Sequence, residues 1–410
     1  MWFSDKCCFI GCAVLVCVAV LAVFAGLLFS LHNTKPMLYV HVMVRNESRA
    51  LPRLLTSLKD VQGVYLCDTG STDDTLEQAA VWSEQTSIPV VIYNVTFDNF
   101  EQARNDCLRM LESNSNDNEW VALMDADFTF EGAFSETPKE DVNTIQIHAA
   151  AMGRPHNALP MLVRMRTLRE QCTYRLWTHE FLECQNATYG HYNAFHYVDH
   201  ADGSSRPQKL TRDIALLREW IKSHPQDDAL QPRALYYLAR AHEDNGELER
   251  AVRMYRKHNE VQRMSNYLFY AHYRLAHIEM KRDNRTRDSV VEALLDAFGT
   301  YDGIFRREPL YYLTRLFRTL GEYDRCIVYG TAAMHLPPIE HYRVPLFLES
   351  TIYDWALEEE LAICLYVRMH FQKAYNHFMH IRAHHYNAMD AESQRRVDAE
   401  IKSCKEKLNI

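Results

Sequence analysis

The chain has 410 residues, 47% hydrophobic and 24% charged, which is long enough for two or three structural units and too apolar for extensive disorder. A net charge of -9 and a pI near 6.1 exclude the basic surplus of a nucleic-acid-binding domain. An anionic ligand would therefore need local help from a cation.

The first feature is an uncharged run of 25 residues, Cys7 to Leu31. A membrane helix needs about 20 apolar residues, so the run predicts a transmembrane helix. Its apolar character continues past Ala25 through Leu27, Leu28 and Phe29, which favours an uncleaved signal-anchor over a cleaved leader. Lys6 on one side and Lys35 with Arg45 on the other leave the orientation open. Sequons at Asn46, Asn94, Asn186 and Asn284 suit a domain in a secretory lumen, the Golgi or the endoplasmic reticulum. Four of the eleven cysteines lie in the apolar run, and the other seven are scattered without a CxxC pair. Neither a zinc site nor a dense disulfide framework is signalled. Cys172 and Cys184 are close enough in sequence to form one bridge or to remain two buried thiols.

From Met37 onward, apolar strands alternate with helical patterns. Met37 to Val44 reads as a strand buried on both faces, followed by a helix with Leu51, Leu54, Leu55 and Leu58 on one side. Val64 to Cys67, Ile88 to Val95 and Trp120 to Met124 are the next strands. This order predicts a mostly parallel sheet with right-handed crossovers, and in such sheets ligands bind at the carboxyl ends of the strands. Three polar clusters fall there: Asn46-Glu47, Asp68 to Asp73, and Asp125-Ala126-Asp127. Each has an ordinary explanation; Thr72 and Asp73, for instance, suit the capping of a helix. Their order along the chain is what makes them specific.

The segments VMVRNESRALPRLLTSL, VYLCDTGSTDDT, EQARND and WVALMDADF make residues 38 to about 205 resemble the family-2 glycosyltransferases of the GT-A (Rossmann-like) fold. The resemblance implies that Glu47 and Asp68 contact the nucleoside of a nucleotide-sugar donor, with Asn46 in the same donor site. It further implies that Asp73, Arg104 and Asp125 border the nucleotide pocket, and that Asp127 with Asp125 holds Mn2+ or Mg2+. A cation held by carboxylates would neutralise the charge developing on a diphosphate leaving group. A His-Glu pair and a later histidine occur in a subset of that family; His179-Glu180 and His200 match. Glu180 is the expected general base, His179 an acceptor-orienting or alternative basic group, and His200 a third metal ligand. His191 and His196 are substitutes for His200, and Asp199 and Asp202 for Glu180.

After Pro207 helix formers and tyrosines dominate. The layout around Ala234 to Tyr255 recurs around Leu310 to Cys326, with looser copies, and Ala251, Ala293, Cys326 and Ala374 are matching small positions. Helix pairs at such a period resemble tetratricopeptide (TPR) repeats. The predicted organisation is a tail and membrane anchor over 1–36, a transferase domain over 37–205 and an all-α TPR-like solenoid over 206–410, the last suited to acceptor binding, homodimerisation or packing on the sheet domain. The expected activity is transfer of a hexose or N-acetylhexosamine, from a uridine diphosphate sugar by analogy, to a glycan, lipid or protein acceptor with inversion. The rival readings are a repeat scaffold with a decayed transferase domain and a nucleotidyltransferase, which would want a glycine-rich basic loop after the first strand.

Overall fold

The computed structural model describes residues 37–111, 119–132, 142–151, 154–191, 195–204, 208–261, 266–282, 285–337 and 348–410. The apolar run Cys7 to Leu31 and the sequon at Asn284 lie outside them. Among the described residues no helix is long and apolar enough to cross a membrane.

Strand β1 (Leu38–Val44) alternates along its length, so Val40, Val42 and Val44 bury on one face and His41 on the other. Helix α1 (Leu51–Ser57) lays Leu51, Leu54 and Leu55 onto the valine face. Each such leucine contributes about 1.5–3 kcal/mol through burial. β2 (Gly63–Asp68), α2 (Thr75–Thr86), β3 (Val90–Asn94), α3 (Phe100–Met110) and β4 (Trp120–Asp125) follow. These strands form a parallel block in the order β3-β2-β1-β4, as the sequence pattern predicts. The register pairs Val44 with Asp68 and Met43 with Asp125, so the polar clusters end level with one another.

Beyond β4 the sheet becomes mixed. The chain runs through β5 (Phe128–Gly132), β6 (Thr144–Ala151), β7 (Arg154–Arg164), α4 (Met165–Gln171), β8 (Cys172–Arg175), β9 (Phe181–Cys184), β10 (Tyr189–His191) and β11 (Phe195–Asp199). β7 is antiparallel to both β4 and β6, and β11 is antiparallel to β5. β8 and β9 form a separate hairpin that packs with α3 and α4 over the second face of the sheet.

Among the described residues ten α-helices follow: α5 (Lys209–Ser223), α6 (Gln231–Asp244), α7 (Leu248–Val261), α8 (Asn266–Lys281), α9 (Arg287–Phe298), α10 (Glu308–Thr319), α11 (Tyr323–Met334), α12 (Leu357–Val367), α13 (Phe371–His384) and α14 (Ala391–Leu408). Each packs on its neighbour in sequence, and α6 with α8 and α10 with α12 also touch. That is the contact pattern of stacked helix pairs. Turns after α6 and α10 repeat one geometry. Gly246 (φ +76°) and Gly321 (φ +73°) occupy the left-handed position, and the following N–H reaches back to His242 O and Phe317 O. Ala251, Cys326 and Ala374 are fully buried as expected, whereas Ala293 is only partly covered and Ala297 takes the buried place on α9.

The cysteine reading needs correction. Cys172–Cys184 is bridged across the β8–β9 hairpin, and Cys67–Cys107 and Cys326–Cys364 are bridged as well; among the described residues this leaves Cys404 free. Cys67–Cys107 ties β2 to α3, and Cys326–Cys364 ties α11 to α12. With sequence separations of 40 and 38, each removes about 4 kcal/mol of unfolded-chain entropy on the loop-closure account.

Candidate active site

The carboxyl ends of β1 and β4, the start of α3, the β8–β9 connection and the start of α5 enclose a cavity of about 670 Å³. β1 hands the chain to Asn46, whose φ of +54° turns it sharply at the strand end. Asn46 Oδ1 accepts from Thr72 N at 2.7 Å, and Asn46 N donates to Ser71 Oγ at 2.9 Å. Its amide oxygen thus ties the β1 loop to the β2 loop.

Asp68 and Asp73 shape those loops and do not line the cavity. Asp68, buried at the end of β2, accepts from Gly70 N, Ser71 N and Ser71 Oγ. Asp73 accepts from Thr75 N and Oγ1 and from Ser48 N. Burial opposes ionisation of Asp73, but the bonds from Thr75 and Ser48 outweigh it and pull the carboxyl down to about 2. The N-cap of α2 is Asp74, with no side-chain capping bond, so Asp73 ties the β1 and β2 loops together and does not cap the helix as the capping explanation expects.

Glu47 faces the cavity and accepts from Ser204 N at 3.0 Å and Ser204 Oγ at 2.8 Å. Burial, with Asp127 and Asp125 close by, pushes its carboxyl up against the pull of Ser204. Asp127 Oδ2 accepts from Gly203 N at 3.0 Å. A Cβ at Gly203 would sit 3.1 Å from Asp127 Oδ2 and 3.5 Å from Glu47 Oε1, so a glycine lets the 200–204 loop lie close against both acids.

Arg104 is the centre of the floor. α3 is capped by Asn99, whose side chain accepts from Gln102 N at 2.9 Å, and its first turns aim Phe100 and Arg104 at the cavity. Arg104 Nε donates to Glu180 Oε1 at 2.6 Å and Nη2 to Asp125 Oδ1 at 2.7 Å. Burial works against the charge, but Asp125 and Glu180 hold the guanidinium well above its ordinary value. It lies over the Tyr174 ring, 5.3 Å from the centroid.

His179 lies on the wall, held from the helical region. Its ring stacks on Tyr237 of α6 at 4.0 Å and 10°, and its carbonyl accepts from Arg233 Nη2 at 2.9 Å. Its φ of +54° is a conformation that L residues seldom adopt. Burial, and then Lys209, Arg233 and Arg212, push the imidazole down to about 3, so it is neutral at pH 7. The Asp213 carboxylate, 3.7 Å from Nε2, is already engaged by Thr178 and Arg212.

The expected trio of Asp125, Asp127 and His200 is not assembled. Asp125 is taken by Arg104, while His200 Nε2 lies 3.0 Å from Thr129 Oγ1 and outside the cavity. Among the described residues no three His, Cys, Asp or Glu side chains are gathered as a closed metal shell. Asp125 and Asp127 are nevertheless oxygen donors facing the cavity. Mg2+ and Mn2+ are commonly held by one or two carboxylates plus substrate phosphates and water, so the donor set fits such an ion when a diphosphate completes it. Of the substitutes, His196 pairs with Glu131 at 2.9 Å, the His191 side chain lies outside the described residues, Asp202 is held by Arg53, and Asp199 accepts from Ala201 N at 2.7 Å.

Sequence reasoning missed Phe97, Ser204, Gln208, Lys209 and Arg212, all on the cavity wall. Three of them follow residue 205, so the wall crosses the expected domain boundary. The change of composition after Pro207 marked the junction, and nothing around it marked a binding role.

Residues 39–137 match the family described as Glycosyl transferase family 2. No curated protein matches the chain. Among solved structures, BtubC (BKLC) from P. vanneervenii is 15% identical with a TM-score of 0.38, covering 51% of this chain and 85% of its own. A MamA fragment from Desulfovibrio magneticus is 17% identical with a TM-score of 0.33, covering 45% and 90%. A tetratricopeptide repeat protein from Parabacteroides merdae is 12% identical with a TM-score of 0.33, covering 49% and 67%. Scores this low establish no shared fold, and the description of the helix pairs rests on the chain's own contacts.

Proposed function

We propose that this chain, whose residues 39–137 carry a family-2 glycosyltransferase domain, moves a sugar from a nucleotide-sugar donor to a hydroxyl of a glycan, lipid or protein acceptor. The observation that carries the reading is the convergence of Glu47, Asp127 and the Asp125–Arg104–Glu180 chain on one cavity at the carboxyl ends of parallel strands. Glu47, beside Asn46 at the end of β1, is the group we assign to the nucleoside. Asp127, with Asp125, would hold Mg2+ or Mn2+, which when bound supplies positive charge to the leaving diphosphate.

The chemistry requires a bond from the acceptor oxygen to the anomeric carbon, with the bond from that carbon to the diphosphate oxygen breaking and its electron pair leaving with the diphosphate. With inversion, the acceptor proton passes to a carboxylate on the opposite side. We assign that role to Glu180, whose Oε1 is fixed by Arg104 so that the second oxygen can accept. His179, neutral and stacked, orients the acceptor. Three disulfides support an oxidising compartment, and the apolar run Cys7 to Leu31 supports anchorage there, in the Golgi or endoplasmic reticulum. The testing experiment is donor hydrolysis by the full chain across nucleotide sugars with manganese present. Turnover of one donor that Asp127→Ala abolishes is expected, and no turnover of any donor would favour a scaffold.

A further inference from the structure

Lys209 and Arg212 face the cavity from the first turn of α5, and no role above uses them. Both are set by the carboxylate of Asp213, which is 1% exposed. Arg212 Nη2 lies 3.3 Å from Asp213 Oδ1 and Lys209 Nζ lies 3.7 Å from Oδ2, while Thr178 Oγ1 donates to Oδ1 at 3.0 Å. The Arg212 guanidinium also lies over the Phe100 ring, 4.8 Å from its centroid, which fixes its plane. Two cations lie against one buried carboxylate, and both line the cavity.

The strand ends contribute acids, Glu47 and Asp127, which line the cavity together with Arg45. An anion entering it is repelled at the strand ends unless a metal is bound, and is drawn to α5 in either case. The neutral imidazole of His179, adjacent to this cluster, neither competes for nor repels the anion. A planar guanidinium beside an ammonium suits phosphoryl oxygens, since the first supplies paired donors and the second a point charge.

We propose that Lys209 and Arg212 form a phosphoryl-binding subsite, oriented by Asp213. This rests on the nucleotide-sugar reading and deepens it by naming the residues that hold a phosphate. The phosphate comes either from the donor diphosphate or from a phosphorylated acceptor, and the chemistry recognised is the same. It also makes α5 a functional part of the sheet domain's cavity.

Isothermal titration of the full chain with uridine diphosphate, inorganic pyrophosphate and uridine tests this, alongside KM for glucose 6-phosphate against glucose as acceptor probes. Lys209→Gln and Arg212→Gln should each weaken diphosphate and pyrophosphate binding by about 10- to 100-fold, the range of a charged hydrogen bond, with uridine unchanged. Arg212→Lys should recover part of the loss. A loss confined to the phosphorylated acceptor also supports the subsite and assigns it to the acceptor. Unchanged affinity for every phosphate probe in both variants would overturn it, because the cations would then only neutralise Asp213. Thermal denaturation of Lys209→Gln, whose side chain is 43% exposed, guards against a folding artefact. A wild-type chain that binds neither uridine diphosphate nor pyrophosphate would bring down the donor reading itself.

Discussion

The sheet domain and the helical region use buried charge in opposite ways. In the sheet domain the core is aliphatic, with Val40, Val42, Leu54, Leu66 and Ala122 at its centre, and the charged groups collect at one end around a cavity. In the helical region charged groups lie within the core and tie one helix to another. Arg396 meets Glu359 at 2.7 Å and Arg274 meets Glu243, while the local pair Arg306–Glu308 at the start of α10 reaches Tyr270 of α8 and Tyr353 through their hydroxyls. Glu358, Glu359 and Glu360, consecutive on α12, reach α13, α14 and α10 respectively through His377 and His380, Arg396, and Arg318. A charge at the end of a sheet is free to act on a ligand. A charge between stacked helices is spent on fixing which helices meet.

That difference predicts which measurement each substitution moves. Glu180→Gln keeps the side-chain volume and an oxygen for Arg104, and should cut turnover by about 10²–10⁴-fold while donor affinity barely changes. Steady-state kinetics check it; activity within a few-fold of wild type would pass the base role elsewhere. Glu308→Ala is the counterpart. It strips Arg306, 4% exposed, of its carboxylate and leaves Tyr353 without its acceptor at 2.5 Å. The expected cost is about 3–5 kcal/mol in urea denaturation, with turnover per folded molecule unchanged.

The sequence revealed the two regions unequally, for physical reasons. Glu47, Asp125 and Asp127 were legible because a strand's length and the β1–β4 register fix where its polar end falls. Arg104 was legible as a pocket residue, but its place between Asp125 and Glu180 was not, since those partners lie 21 and 76 residues away. The Cys67–Cys107 and Cys326–Cys364 bridges were hidden for the same reason, as spacing does not encode pairing. In the helical region the repeat was visible in its small residues and turn glycines. The exchange of Ala293 for Ala297 was not, because a shift of one turn leaves the pattern nearly intact.

Acid should destabilise the sheet domain through two histidines that burial holds neutral. His41, inside β1, is held near 3 by burial and then by Arg104, and His179 is also held near 3. Below the usual imidazole value of about 6.5 the unfolded chain takes up protons that the folded chain refuses. The stability from both groups is therefore complete above 6.5 and falls as the pH drops towards 3. At pH 5 each should cost about 2 kcal/mol relative to pH 7. Urea midpoints across that range measure it, and His41→Phe, which removes a buried Nε2 lacking a partner, should halve the joint contribution. Tyr237→Ala tests whether the helical region acts on the site by position. Losing the ring stacked on His179 should lower turnover about tenfold at unchanged donor affinity, with Tyr237→Phe restoring it.

The smallest effect has the opposite sign and concerns the repeat alone. The turn after α12 copies the geometry at Gly246 and Gly321, with Met369 N donating to Tyr366 O at 2.9 Å and His370 N to Leu365 O at 2.9 Å. The left-handed place is taken by Met369 at φ +63°, where a side chain crowds its own backbone. Its 75% exposure means that almost no burial offsets the strain. Met369→Gly should therefore raise stability by roughly 0.5–1 kcal/mol, the relief of strain being partly cancelled by glycine's greater freedom in the unfolded chain. Thermal denaturation at constant pH would resolve the shift, and kinetics should not move. A destabilised variant would mean that the methionine packs in solution against something that the turn geometry alone does not require, and the likeness among the three turns would then be one of backbone only.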